Sequence, residues 1–437
     1  MSAEPPTSSP TSPIRPGQAR FALGMLSVVY AVNMLDRQIL SMLLVPIKQE
    51  LGISDTALGF LTGTSFALFY ATAGIPVARW ADRGTRLHVI AVGLTLWSAA
   101  TAACGLARSF AHLAVARVLV GVGEAAGSPP AHSLIADYFP PERRARSIAL
   151  YTMGGSVGIG LGYALGGYLG EAIGWRLSFV VVGLPGIALA LIVRFGLREP
   201  PRGVIEGRSA VVEPPPLLVA IRTLLAIRSY RQITIATGLY CVASYGFIMW
   251  VPTFLMRVHD MGRTESGAWL GLIAAGCGLV GAYSGGWLAD FGSRHDRRWL
   301  VWLPACAGLL TTPFIFAFLL VDSGEAALLC YVPIALFSAG WSAATYAVVQ
   351  GLVPLRMRAM ASAVLMLVLN LIGMGLGPQL VGLLNDVLAS RFGLDAIRYS
   401  LLVVGMAKAW GALHSFLAGR TLLGELDAAD AAERAQG

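Results

Sequence analysis

The feature that most constrains this chain is a succession of apolar runs of bilayer-spanning length, each closed off by a short polar turn. One set falls near residues 21–47, 57–79, 87–107, 110–138, 147–173 and 175–197. A polar, proline-containing stretch from Arg198 to about Arg231 follows, and then a second set at 233–256, 268–291, 300–321, 326–353, 359–389 and 397–419. A hydrocarbon core about 30 Å thick takes roughly 20 apolar residues per helix, and only helices or closed barrels keep every backbone group bonded in lipid. The pattern therefore predicts an all-α membrane protein. At roughly 35 residues per span and loop, a chain of 437 residues holds about twelve spans. Charged residues make up 13% of the chain, where a soluble domain carries about 25%, and the mean hydropathy is +0.68.

Charge placement supplies the orientation. With the N-terminus threaded inside, about 22 of the 32 Lys and Arg fall on the cytoplasmic side and roughly 7 outside. Both termini are predicted cytoplasmic, and a bacterial plasma membrane is the expected location. The predicted division is a disordered tail 1–20, a six-helix bundle 21–197, a cytoplasmic linker 198–231, a second six-helix bundle 232–420 and a tail 421–437. The net charge of +8 lies in short loops and forms no continuous basic face, so no nucleic-acid partner is expected. The five cysteines all sit in apolar stretches without metal-ligand spacing, and neither a metal nor a cofactor is expected.

The two halves repeat a loop. Ala78 to Arg86 reads ARWADRGTR after the second span, and Gly286 to Arg294 reads GWLADFGSR after the eighth. A small residue, an Asp, a Gly and an Arg recur at the same offsets. An Asp at a helix end, a Gly that stops the helix and a basic residue suit a tight turn that ties neighbouring helices. Asp82, Arg83, Arg86, Asp290, Arg294 and, in the next cytoplasmic loop, Arg143 are the expected gating residues.

These loops resemble the signature of the major facilitator superfamily, G-x-L-A-D-R-x-G-R, although Ala78 replaces the first Gly and both copies place the later Gly one residue early. Gly121-Val-Gly123-Glu124-Ala125-Ala126, Asn33-Met-Leu-Asp36-Arg37 and the Gly375 to Asp386 stretch are similar to the spinster-like branch. The resemblance implies two six-helix bundles around a central cavity lined by spans one, four, seven and ten, alternating access and frequent proton coupling. It also implies substrates of the lysolipid or sphingoid-phosphate kind, with small organic anions such as sugar acids as the alternative.

Four charges lie deep in apolar spans: Asp36 and Arg37 in the first, Arg117 and Glu124 in the fourth. Each unpaired ion costs about 2.5–3.5 kcal/mol on insertion scales, so each needs water or a partner. Adjacent helical residues point about 100° apart, so Asp36 and Arg37 must find partners on other helices. Arg117 and Glu124, two turns apart, share one face. Burial disfavours a charged carboxylate and a nearby guanidinium favours it. A swap of partners between conformations thus predicts Asp36 or Glu124 as the proton site, with Arg37 or Arg117 as competitor; a permanent salt bridge is the alternative. The expected substrate wall in the second half is Tyr245, Trp250, Trp341, Thr345, Tyr346 and Asn370, and Lys408 is its one mid-membrane charge. Such a cavity suits an amphipathic anion.

Other patterns carry less. Gly154 to Gly158 matches a GxSxG nucleophile motif, but Gly154, Gly158, Gly162, Gly166 and Gly170 recur every fourth residue, which predicts a helix-packing stripe. His132 lacks a second His at ligand spacing and is expected to be a hydrogen-bonded helix residue. Gly373, Gly375 and Gly377 before Pro378 predict a helix bend at a gate. A membrane-embedded lipid enzyme would need a catalytic constellation that six His do not assemble, and a binding-only receptor would not need repeated halves. A monomeric secondary transporter is the expectation, its partners a small anionic or amphipathic substrate, protons and membrane lipids.

Overall fold

The computed structural model describes residues 16–202, 217–354 and 357–434. Residues 1–15 and 435–437 of the expected tails, 203–216 of the expected linker and residues 355–356 of the second bundle lie outside the described residues.

Among the described residues the chain is helical, with no strand. Ten stretches have the length and apolarity of single spans: α1 (Gly17–Leu51), α2 (Asp55–Arg83), α3 (Arg86–Cys104), α4 (Phe110–Tyr138), α5 (Pro141–Ala172), α6 (Gly174–Gly196), α7 (Arg228–Val258), α8 (Arg263–Ser293), α9 (Trp299–Leu320) and α10 (Gly324–Gly351). An eleventh, Arg358–Ala431, runs to 74 residues. It is a hairpin, because the helix ending at Phe392 gives way to a single turn, Gly393–Asp395, with Gly393 at φ 57°. A new helix then starts at Ala396. α11 (358–392) and α12 (396–434) complete the twelve spans that the hydropathy predicts.

The spans pack as two six-helix bundles. In the first, α1 lies along α5, and α3 lies between α4 and α6; in the second, α12 lies against α7 and α9, and α8 against α10. α5 meets α8 and α2 meets α11 across the divide. One apolar core crosses it at the end where α1 finishes, with Leu43, Leu44 and Ile47 packed together with Trp250, Phe254 and Val381. At the other end each bundle keeps its own core, Leu26, Leu134 and Ile135 in one and Tyr230, Val348 and Leu422 in the other. The bundles are thus closed together at the α1–α2 turn and parted at the α2–α3 turn. Side chains such as Val115, Leu191, Phe195 and Leu329 stand exposed around the outside, as a lipid-facing surface requires.

Two local features make this packing possible. The α5 glycines face α1 so closely that a Cβ on Gly158 would lie 2.2 Å from the Ala31 carbonyl oxygen. Gly158→Leu is therefore expected to destabilise the first bundle by about 1–3 kcal/mol through overpacking, read as a lower melting temperature of the purified protein. An unchanged melting temperature would show that α1 yields at no cost. The second feature is a pair of π-helical segments, Phe60–Thr64 in α2 and Leu369–Leu376 in α11, which lie against each other. Thr64 Oγ1 donates to the Gly375 carbonyl at 3.1 Å across that contact. Gly373 and Gly375, where the sequence predicts a bend, lie in the second π segment, and Gly377 starts the α-helix that follows it.

The ends differ from the sequence expectation. α1 begins inside the stretch expected to be a tail, and a short helix, Leu217–Ala226, stands in the expected linker. α12 continues to Arg434. It does so because Glu425 accepts hydrogen bonds from the backbone amides of Arg228 and Ser229, each at 2.9 Å, while Leu422 and Leu426 are buried. That carboxylate satisfies amide groups that the start of α7 leaves without helical acceptors.

Candidate functional site

Three of the four deep charges, Arg37, Glu124 and Arg117, gather in the first bundle beside Phe66. Arg37 Nε of α1 donates to Glu124 Oε2 of α4 at 2.5 Å. Glu124 ends the first part of α4, just before a break at 125–127. Its side chain is fully buried; among the described residues Oε1 makes no well-formed hydrogen bond, and Asn33 of α1 stands beside the carboxylate. The Arg37 guanidinium also lies 4.7 Å from the Phe66 ring and 5.0 Å from Tyr70, both of α2, so a cation is held where aromatic faces favour it. Arg117 reaches the same Phe66 ring at 5.4 Å, and its Nε donates to the Leu61 carbonyl at 3.4 Å.

Asp36 points elsewhere. It is fully buried toward α3, where Oδ2 accepts from Thr101 Oγ1 at 3.4 Å and Oδ1 has no partner among the described residues. Neighbouring positions on one helix thus send one charge to α4 and the cavity and the other into the packed bundle.

A cavity of about 360 Å³ lies between the bundles. Its first wall carries Tyr30, Met34, Arg37 and Gln38 of α1, Tyr70 of α2, His132 of α4 and Tyr151 of α5. The second carries Tyr245 and Met249 of α7, Trp341 and Tyr346 of α10 and Asn370 of α11. Of the residues expected to form the substrate wall, Tyr245, Trp341, Tyr346 and Asn370 border this cavity. Trp250 and Thr345 do not. Trp250 is wholly buried near the closed end, where its Nε1 donates to the Pro378 carbonyl at 2.9 Å. Thr345 turns back to the Trp341 carbonyl at 3.0 Å, as helical threonines in apolar surroundings do.

The sequence reading missed the tyrosine wall of the first bundle. Tyr30 and Tyr151 stack with centroids 4.7 Å apart, and His132 meets Tyr151 edge-on at 5.3 Å. Tyr30, Met34 and Arg37 recur at helical spacing, a signal that α1 turns one face to the cavity. His132 lies on α4 as expected and borders the cavity, where it meets the Tyr151 ring; among the described residues its side chain makes no hydrogen bond. The cavity also draws on α2, α5 and α11 beyond the four helices that the resemblance implies.

The profile of the Major Facilitator Superfamily matches residues 26–378. The chain belongs to this superfamily. An MFS-type efflux pump of Mycolicibacterium smegmatis is 35% identical over 410 residues, covering 92% of this chain and 93% of that protein. The D-galactonate transporter of Escherichia coli is 25% identical over 88% of this chain and 92% of its own. A crystal structure of a bacterial homologue of the human lysosomal transporter Spinster, described as inward-facing and unoccupied, superposes with a TM-score of 0.82. It is 31% identical, over 94% of this chain and 99% of that one. The chain is a spinster-like superfamily member, a transporter of small organic substrates and not an enzyme.

The loops that carry the superfamily signature divide in two. Arg86 is buried, and it pairs with Asp137 of α4 and with Glu199 at 2.9 Å. Glu199 also accepts from the backbone amides of Arg86 and Leu87, capping α3. The side chains of Asp82, Arg83, Arg143, Asp290 and Arg294 form no ion pair among the described residues at this parted end, and the Asp82 carbonyl accepts from Arg202. Gly84 follows the last residue of α2 in extended conformation, as a stop signal should, whereas Gly292 stays inside the last turn of α8.

The opposite, closed end holds a network that the sequence reading did not single out. Asp55 at the start of α2 accepts from Lys48 of α1 at 2.6 Å and from Arg257 of α7 at 2.5 and 2.9 Å. Asn385 of α11 donates to the same carboxylate at 3.0 Å. Asp386 in turn accepts from the amides of Asp55 and Thr56 and from Thr56 Oγ1. Four helices from both bundles converge on two carboxylates.

Proposed function

We propose that the chain carries an amphipathic, lipid-like anion across the membrane by alternating access coupled to protons. The cavity carries this reading. It sets a guanidinium among tyrosines on one wall and Trp341, Met249 and Tyr346 on the other, a lining that offers an oxyanion a cation and an acyl chain an apolar surface. Glu124 is the favoured proton site, because it is bonded to the cavity-facing Arg37 while Asp36, the second candidate, faces Thr101 in the packed bundle. On this reading the protein is a monomer in a bacterial plasma membrane. Both termini lie in the cytoplasm, with bundles spanning 21–197 and 232–420, and the parted end opens to the cytoplasm.

The galactonate relative favours a second reading, symport of a sugar acid, for which Gln38, His132 and Asn370 would supply hydrogen bonds. Proteoliposomes loaded with lysophosphatidylglycerol or with D-galactonate, at equal and at unequal pH across the membrane, separate the two. Movement of the lysolipid, accelerated several-fold by the gradient, is the expected result. Movement of D-galactonate alone would replace the first reading with the second, and rates indifferent to the gradient would remove the coupling.

A further inference from the structure

A small recess opens off the central cavity beside α12. Ser244, Ser338 and Trp341 line both spaces, and Lys408 forms the recess wall. Lys408 is 4% exposed, and its ammonium donates to Ser338 Oγ. Among the described residues no carboxylate lies within ion-pairing reach of it. Arg37 is matched by Glu124 and Arg86 by Asp137 and Glu199, while Arg117, also without an ion pair among the described residues, lies against the Phe66 ring and the Leu61 carbonyl; Lys408 has a single hydroxyl. A buried cation without a counter-ion is costly, and in membrane proteins such residues mark substrate or ion pathways. Next to it α10 is interrupted. Its first part ends at Ala339, its second starts at Ser342, and no side chain caps the new start. The first amides of that second part thus lack helical acceptors on the wall that Trp341 shares.

We propose that Lys408 is the headgroup subsite of the transporter: a phosphate or carboxylate oxygen of the substrate takes the place of Ser338 as partner of its ammonium. The recess holds only about 10 Å³, so the headgroup sits at its mouth, among Ser244, Ser338 and Trp341, and the remainder of the molecule lies along the central cavity. Lys408 then holds the headgroup from the second bundle, while Arg37, paired with Glu124, is the cation of the opposite wall and takes part in coupling. This inference rests on the reading of the substrate as an anion.

The test is binding of lysophosphatidylglycerol, D-galactonate and an uncharged monoacylglycerol to the purified full-length protein and its variants. The wild type is expected to bind one of the anions more tightly than monoacylglycerol. Lys408→Met and Ser338→Asp, which remove the free charge by deletion and by an internal counter-ion, should each weaken that anion at least tenfold. Lys408→Arg should stay within threefold, and monoacylglycerol should be unaffected throughout. The anion that shows the dependence identifies its source, lipid or sugar acid. If Lys408→Met does not fold, Ser338→Asp decides, because its new carboxylate gives the lysine a partner. Anion binding at wild-type strength in either folded variant overturns the Lys408 subsite and leaves the anion reading standing. A wild type that prefers neither anion to monoacylglycerol removes both together.

Discussion

Glu124→Gln is expected to abolish gradient-driven transport, with at least a hundredfold fall in net flux, while substrate exchange at equal pH continues. The glutamine keeps the shape and can still accept one hydrogen bond from Arg37, but it cannot take up or release a proton. It also leaves the guanidinium without a counter-ion. Removing one partner of a buried pair costs about 3–5 kcal/mol, yet Arg37 keeps the Phe66 and Tyr70 faces and borders the cavity. The stability loss should therefore lie at or below the lower end of that range. Asp36→Asn, whose carboxylate faces Thr101 and not the cavity, is expected to cut flux far less. Proton-dependent flux unchanged in both variants would end the coupling mechanism. A loss confined to Asp36→Asn would move the proton site to the α1–α3 contact.

Much of the architecture was legible because it depends on spacing within single helices. Apolar run length fixed the spans, and the four-residue glycine period fixed the face of α5 that meets α1, since both follow from helix geometry and from lipid as the solvent. The partnership of α1 with α4 was legible too, since Arg37 and Glu124 could not stay unpaired at that depth. What the sequence hides is direction and neighbourhood. Trp250 and Tyr245 sit five residues apart on α7, and only the crossing of α11 decides that the tryptophan seals the closed end while the tyrosine lines the cavity. The π segments of α2 and α11 leave no propensity signal, being set by the contact between the two bundles. Asp55 reads as an ordinary first-turn acid after the N-capping Ser54; its partners lie as far away as Arg257 and Asn385, and nothing local predicts them.

That hidden network sets the last prediction: Asp55→Ala should shift the protein toward states in which the α1–α2 end is open. Asp55 is 2% exposed and holds Lys48, Arg257 and Asn385. On the alternating-access reading the bonds to Arg257, Asn385 and Asp386 exist only while that end is closed, because parting α2 from α11 and α7 separates them, whereas Lys48 of α1 stays with Asp55. Opening returns each ion to water, so the network's contribution falls on one side of the conformational equilibrium. Without Asp55, Arg257 stays largely buried beside Trp250 with no counter-ion in the closed form, an arrangement worth about 3–5 kcal/mol against it. Even 2.7 kcal/mol of that difference shifts a two-state ratio by about a hundredfold. Spin labels or fluorophores on the α1–α2 and α11–α12 turns should therefore report a longer distance in Asp55→Ala than in wild type. Asp386→Asn, which keeps an oxygen to accept from the α2 amides, should change it little. An Asp55→Ala distance distribution that matches the wild type would mean that the glycine and π-segment contacts between α2 and α11, and not the ions, hold that end shut.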